Sequence, residues 1–298
     1  MNLIRLGPIF AALVLAACEA TPPPVVASAP PLAANTIRGV DVAIDSTTLV
    51  NEIKHARLNF VARYYRDPAS RWPALSPREI QSLSTLDANI VTVWEWHSGN
   101  LASFNYPTGF YEAQSAFRQA KSLGQPEGSA IYFAVDFNAH QQDFYWVDQY
   151  FRGVRAGLAA AGNGRARYKI GVYGSGAVCA LVKGEHLAEY SWLSGATAWE
   201  GTSSYAAWNI KQAPLGMRYP SLSFDHDVNE ARQDYGGFRL AADGRPMPPL
   251  VTADASPPEA AVPQPAAQPA PVQTAPAQPP PAQPPPDQSL IGVIKSWF

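Results

Sequence analysis

Eight short apolar runs recur along the middle of this chain, at residues 37–43, 59–64, 89–94, 130–137, 168–173, 189–193, 205–210 and 222–228. Apolar runs of this length with polar borders suit strands covered on both faces, as in a sheet wrapped by helices. Helical patterns separate the early runs. Ser76-Pro77-Arg78-Glu79 is a capping box with proline at the first helical position, opening a helix through Leu86. Residues 111–123 keep helical periodicity and stop at Gly124, and 142–161 form a longer helix stopped by Gly162-Asn163-Gly164. After the fifth run the spacers leave room only for turns or short helices. The stretch suits one α/β domain, a (β/α)8 TIM-like barrel over residues 36–241 with reduced helices in its second half.

The fourth run, Ala130-Ile131-Tyr132-Phe133-Ala134-Val135, ends in Asp136, and Asn138 follows on the same face by the period-2 rule. Carboxyl ends of barrel strands are where such folds keep their chemistry. Three further carboxylates stand at the predicted carboxyl ends of other strands: Asp41, Glu95 and Asp227. Glycoside hydrolysis needs a proton donor on the leaving oxygen and a second carboxylate as nucleophile, base or stabiliser. A second carboxylate at 138 would complete such a pair on one strand, but an amide cannot donate a proton in that role.

Several short motifs belong together. They are Gly39-Val40-Asp41, Ala62-Arg63-Tyr64-Tyr65, Ile131 to Asn138, Gly171-Val172-Tyr173-Gly174-Ser175-Gly176, Trp192-Leu193-Ser194 and Asp227-Val228-Asn229. In this order they resemble a bacterial domain-of-unknown-function family described as glycoside-hydrolase-like. That family is similar to the family 25 muramidases, lysozyme-type barrels that cut peptidoglycan glycan strands. The resemblance covers essentially the whole of residues 36–240. It implies that Asp41, Asp136 and Asp227 match the muramidase carboxylates, with Asn138 where the proton-donating Glu stands. Three readings follow for the missing acid. Glu95, in the aromatic setting Val93-Trp94-Glu95-Trp96-His97, replaces it from the neighbouring strand, its pKa raised by desolvation. Alternatively the site binds glycan without cutting it. In the third reading Glu95 only pairs with Arg63 and serves the barrel.

Aromatic residues favour a carbohydrate partner, because their faces stack on the apolar faces of sugar rings. Tyr65, Trp96 and Trp199, near predicted strand ends or loops, are the expected contacts, together with Arg63, Tyr173 and Asn138. Tyr132 and Trp208 are assigned to packing. No metal or other cofactor is expected. In Asp225-His226-Asp227, period-2 alternation sends the histidine away from the two aspartates, and the loop at 171–176 lacks the Lys-Ser/Thr of a phosphate cradle. Ser175 has no designated histidine partner for an esterase-type elbow. Net charge is −2, without a basic stripe, which argues against nucleic acid.

The ends of the chain read as targeting and spacer segments. Residues 1–17 carry a basic start, a short apolar core and small residues before Cys18, a lipoprotein-type signal with an ordinary cleaved signal peptide as the alternative. With Cys18 lipidated, the protein would be an exported bacterial lipoprotein in the cell envelope, on the periplasmic face of the outer membrane. Cys179 would then lack a disulfide partner and act as a small buried hydrophobe. Residues 18–35 and 242–288 are Pro-rich, holding most of the 29 prolines, and read as extended disordered spacers. Residues 289–298 place Leu290, Ile291, Ile294, Trp297 and Phe298 at helical spacing. They form either a segment that folds back on the barrel or a docking peptide for a protein partner.

Overall fold

The computed structural model describes residues 37–232 and 234–250. Cys18, the N-terminal spacer and residues 289–298 lie outside them. Eight strands close into a barrel in chain order: β1 (Ile37–Asp41), β2 (Phe60–Tyr65), β3 (Asn89–Trp94), β4 (Ala130–Ala134), β5 (Lys169–Gly174), β6 (Tyr190–Leu193), β7 (Ile210–Gln212) and β8 (Asp227–Ala231). The helices are α1 (Val50–His55), α2 (Pro77–Leu83), α3 (Tyr106–Ser122), α4 (Phe144–Ala161) and α5 (Gly176–Gly184). None is long and apolar enough to cross a membrane. The expected α/β barrel with a thinned second half is therefore present, and no helix follows β6 among the described residues.

The last two strands depart from the expected registers. The aromatic stretch at 205–209 forms the approach to β7, and the strand itself is only three residues. β8 begins at Asp227, where the apolar pattern placed its end. Strands β1 to β7 run parallel, but β8 runs antiparallel to both β7 and β1. The loop at 213–226 stays at the mouth after β7, so β8 starts there and runs back antiparallel. The amino end of β8 therefore meets the carboxyl end of β1, with Asp227 paired to Asp41. Asp227 reaches the mouth by this reversal and not by ending a parallel strand.

Alternation sorts each strand. Phe60, Ala62, Val91, Val93, Tyr132 and Trp192 fill the barrel interior, while Val61, Ile90, Ile131 and Phe133 face the helices. Two glycines make room for the large rings low in the barrel. A Cβ on Gly39 would lie 2.4 Å from the Phe60 ring, and one on Gly171 would lie 2.3 Å from the Tyr132 ring. Tyr132 also donates its hydroxyl to the Tyr235 carbonyl at 2.9 Å, so the segment after β8 closes the base. That segment continues in order beyond the expected start of the C-terminal spacer at 242. β9 (Arg239–Leu240) pairs with β10 (Pro246–Met247), and the Leu250 amide donates to Asn89 at 2.9 Å.

Helix caps follow the sequence with one exception. Ser76 Oγ accepts from the Glu79 amide at 3.2 Å, half of the expected capping box. The Glu79 carboxylate does not reach back to the cap. It is fully buried and grips Arg63, while the Ser46 amide and hydroxyl donate to it at 2.8 and 2.6 Å. An ion pair in the dry layer between β2 and α2 has displaced an ordinary helix cap.

Candidate active site

Each strand end contributes its inward side chain to one cavity of about 370 Å³. Its lining includes Asp41, Glu95, Asp136 and Asp227. Period-2 alternation continues past the hydrogen-bonded strands, so Glu95 follows Val91 and Val93 on the inner face, and Asp136 follows Tyr132 and Ala134. The four carboxylates expected from the sequence are thus brought together at one mouth. Tyr173 and Trp199 line the same cavity. Trp96 lines a neighbouring, larger cavity of about 700 Å³ that shares Tyr64, Glu95 and Asp136 with the first.

Asp41 is the deepest of the four, 4% exposed. Tyr64 donates to its Oδ1 at 2.8 Å, while Asn229 and Gln212 donate to Oδ2 at 2.7 and 3.1 Å. The same Gln212 amide donates to Asp227 at 3.2 Å, tying the two carboxylates through one NH2 group. Gln212 Oε1 accepts from the Gly195 amide at 2.9 Å and from the Tyr173 hydroxyl at 3.2 Å, which fixes its orientation. Arg218 reaches Asp227 at 3.2 Å from the mouth side.

Burial dominates the protonation of this cluster. It pushes Asp41 up to about 7, with the Asp227 charge adding to it and three hydrogen bonds opposing. Asp227 is raised by burial against the pull of Arg218. Solvent reaches Asp136 at the mouth, yet desolvation and then the Asp227 charge still raise its pKa. Glu95 is raised by burial, against its ion pair with Arg66 at 3.2 Å, with the Asp136 charge adding to the rise. Carboxyls crowded this way hold protons at pH values where exposed ones have lost them.

These shifts have a stability consequence with a definite sign. A carboxyl whose folded pKa is raised favours the native state while protonated, and that contribution is lost as pH rises through the folded value. Asp41 rises from 3.8 to about 7. Glu112, buried between α3 and α4 beneath the Tyr150 hydroxyl, rises from 4.5 to about 7. Resistance to urea should therefore fall between about pH 4 and pH 7. Asp41→Asn should flatten that decline, because an amide can accept from Asn229 and Gln212 and donate to Tyr64. An unchanged slope in the variant would contradict the assignment.

Other expected site residues lie elsewhere. Arg63 and Tyr65 are on the outer face of β2 and are fully buried. Arg63 is held by Glu79 and Val42, and the Tyr65 hydroxyl donates to Gln125 at 2.7 Å. Neither reaches the mouth. Tyr64, between them, does. Glu95 pairs with Arg66 and not with Arg63. Asn138 accepts from the Glu200 amide at 2.7 Å, so its side chain ties down the loop that carries Trp199. His226 is turned away from the mouth as alternation required. It accepts at Nε2 from the Tyr219 amide at 2.9 Å, which leaves the Nδ1 proton for the Phe224 carbonyl at 2.8 Å. Ser175 caps α5, accepting from the Val178 amide at 3.2 Å, and is buried. Cys179 is fully buried with its thiol pKa pushed up by desolvation, the environment of a packing residue. Gln212, Arg66 and Arg218 carry no assignment from the sequence, and Asn229 enters there only within the Asp227-Val228-Asn229 motif, without a role. Gln212 and Asn229 belong to strands whose registers the apolar pattern misplaced, and the arginines carry no local signal.

Comparison with known proteins bears on the family and the fold. The family profile described as "Rv2525c-like, glycoside hydrolase-like domain" matches residues 51–238. Protein FadG of Bacillus subtilis is 30% identical over 204 residues, which is 63% of this chain and 35% of that protein. The chain thus spans about a third of the length of that curated relative. The Tat-secreted protein Rv2525c of Mycobacterium tuberculosis, crystallised with L-tartrate, is 20% identical with a TM-score of 0.54. That match covers 69% of this chain and 99% of the other, and shows the shared fold. A family 25 glycosyl hydrolase from Bacillus anthracis is 13% identical with a TM-score of 0.43, over 67% and 93% of the two chains.

Proposed function

This chain belongs to the Rv2525c-like, glycoside hydrolase-like domain family, and from that premise we propose that its barrel mouth binds peptidoglycan or a related cell-wall glycan and hydrolyses it. The observation that carries the reading is the convergence of four carboxylates and the aromatic rings of Tyr64, Tyr173, Trp192 and Trp199 in one cavity. In the proposed reaction Glu95 gives its proton to the glycosidic oxygen as the C–O bond breaks. Asp136 stabilises the positive charge that develops at the sugar carbon, and water supplies the hydroxyl that replaces the leaving group while its other proton returns to Glu95. Asp41 and Asp227, locked together by Gln212, orient the cluster beneath the sugar. Glu95 suits the acid role because burial raises its pKa while its side chain stays about a quarter exposed, within reach of a substrate.

A second reading, a glycan-binding protein without hydrolysis, draws on two contacts. Asn138 is committed to the Glu200 amide, and Glu95 rests against Arg66. One experiment separates the two. Purified protein is incubated with peptidoglycan, and both new reducing ends and co-sedimentation are measured. Hydrolysis predicts reducing ends that disappear in Asp136→Asn. Co-sedimentation without reducing ends supports the binder, and failure of both removes the glycan reading. A lipid at Cys18, outside the described residues, would keep this domain in the cell envelope as an exported lipoprotein. The segment 289–298, also outside them, remains a candidate for docking a protein partner.

A further inference from the structure

The larger cavity beside the carboxylates has a different chemistry from the mouth itself. It is built from two loops, one after β2 and one after β3, and its lining includes Arg66, Arg71, Trp72, Trp96 and His97. The shared residues Tyr64, Glu95 and Asp136, with Arg66 against the first two, mark its inner end, so Arg71 and Trp72 form the outer end. Arg66 is 7% exposed, stacks on the Tyr64 ring at 4.3 Å, and keeps a buried Nε without a hydrogen-bond partner among the described residues. A buried guanidinium N–H left unpaired is costly, and an incoming acceptor relieves that cost. Arg71 lies over the Trp72 ring at 5.5 Å and enters no ion pair among the described residues. Trp72 is 48% exposed, a large aromatic face open to solvent at the rim.

We propose that this outer compartment is a subsite for a sugar unit bearing an oxyanion, a carboxylate or a phosphate, with Arg71 as its principal counter-charge and Trp72 as the stacking face. The inference rests on the glycan reading above and narrows it to acidic glycans. A planar guanidinium matches either oxyanion with two parallel N–H donors, which a lysine does not.

The test uses Asp136→Asn protein, so that no probe is cut, and follows tryptophan fluorescence on titration. Three probes are compared: a neutral N-acetylglucosamine oligomer, the same oligomer carrying lactyl ether carboxylates, and a 6-phosphorylated form. Binding of either acidic probe about tenfold tighter than the neutral one, weakening with salt, is expected, consistent with one charge-assisted contact. Adding Arg71→Ala should erase that preference, bringing the acidic and neutral oligomers to equal affinity. Arg71 is exposed, so the substitution should not disturb folding. The two acidic probes decide between carboxylate and phosphate as the natural group. Equal affinity for all three probes, or a preference that survives Arg71→Ala, overturns the subsite and leaves the glycan reading intact. Absence of binding to every probe overturns both.

Discussion

Glu95→Gln should lower the rate of glycan hydrolysis by about 10²- to 10⁴-fold, the usual contribution of a positioned general acid. The variant keeps the shape of the side chain and an oxygen that can accept from Arg66, so folding should be preserved. The pH dependence is the more discriminating measurement. The active form of an acid catalyst is protonated, so the rate should fall as pH rises through the Glu95 pKa. Burial places that limb above the range of an exposed glutamate, and Arg66 is the largest influence holding it down. Arg66→Met should therefore move the alkaline limb further up, whereas Glu95→Gln should remove it. Rates measured across pH 4 to 9 on the same peptidoglycan check both statements. A Glu95→Gln enzyme with full activity and an unaltered profile would show that the proton comes from another group. Asp41, although also raised, is only 4% exposed and is already engaged by three donors.

The difference between what was legible in the amino-acid pattern and what was not follows from how strands are buried. In β4 the unbroken apolar run from Ala130 to Val135 ends in Asp136, which points to the carboxylate's place at the mouth. The same logic extended β3 to Glu95. It failed on β2, where Ala62, Arg63, Tyr64 and Tyr65 offer no polar–apolar alternation to distinguish inside from outside. Both faces of β2 are dry, and the structure alone assigns Tyr64 to the mouth and its neighbours to the helix layer. β7 escaped for the opposite reason. Gln212 is a buried polar residue on a three-residue strand, stabilised by Asp41, Asp227 and Gly195 from distant parts of the chain. Such a residue reads as a loop until its partners are known. Reversal of β8 is likewise hidden in the pattern, because helix-free connections in this barrel lead both to a parallel strand, β7, and to an antiparallel one, β8.

Removing one partner of the buried pair behind β2 should have the largest effect on stability. Arg63 and Glu79 have no exposed side-chain surface, and the guanidinium meets the carboxylate through two nitrogens, the second at 3.0 Å. Ser46 adds two hydrogen bonds to the carboxylate and the Val42 carbonyl accepts from Arg63 at 2.6 Å, so β1, β2 and α2 meet in one network. Glu79→Ala leaves a guanidinium in a dry site without its counter-charge and should cost about 3–5 kcal/mol, read as a lower urea midpoint at an unchanged slope. The penalty comes mainly from the stranded charge and less from the lost attraction. Replacing both partners by apolar residues of similar volume, Arg63→Met with Glu79→Leu, should therefore recover most of the loss. A Glu79→Ala variant within about 1 kcal/mol of wild type would mean that water reaches Arg63 once the carboxylate is gone. Because Val42 directly follows Asp41, loosening this network should also weaken glycan binding at the mouth, while the double variant should retain it. That contrast separates a stabilising role for Arg63 from the substrate contact its place on β2 first suggested.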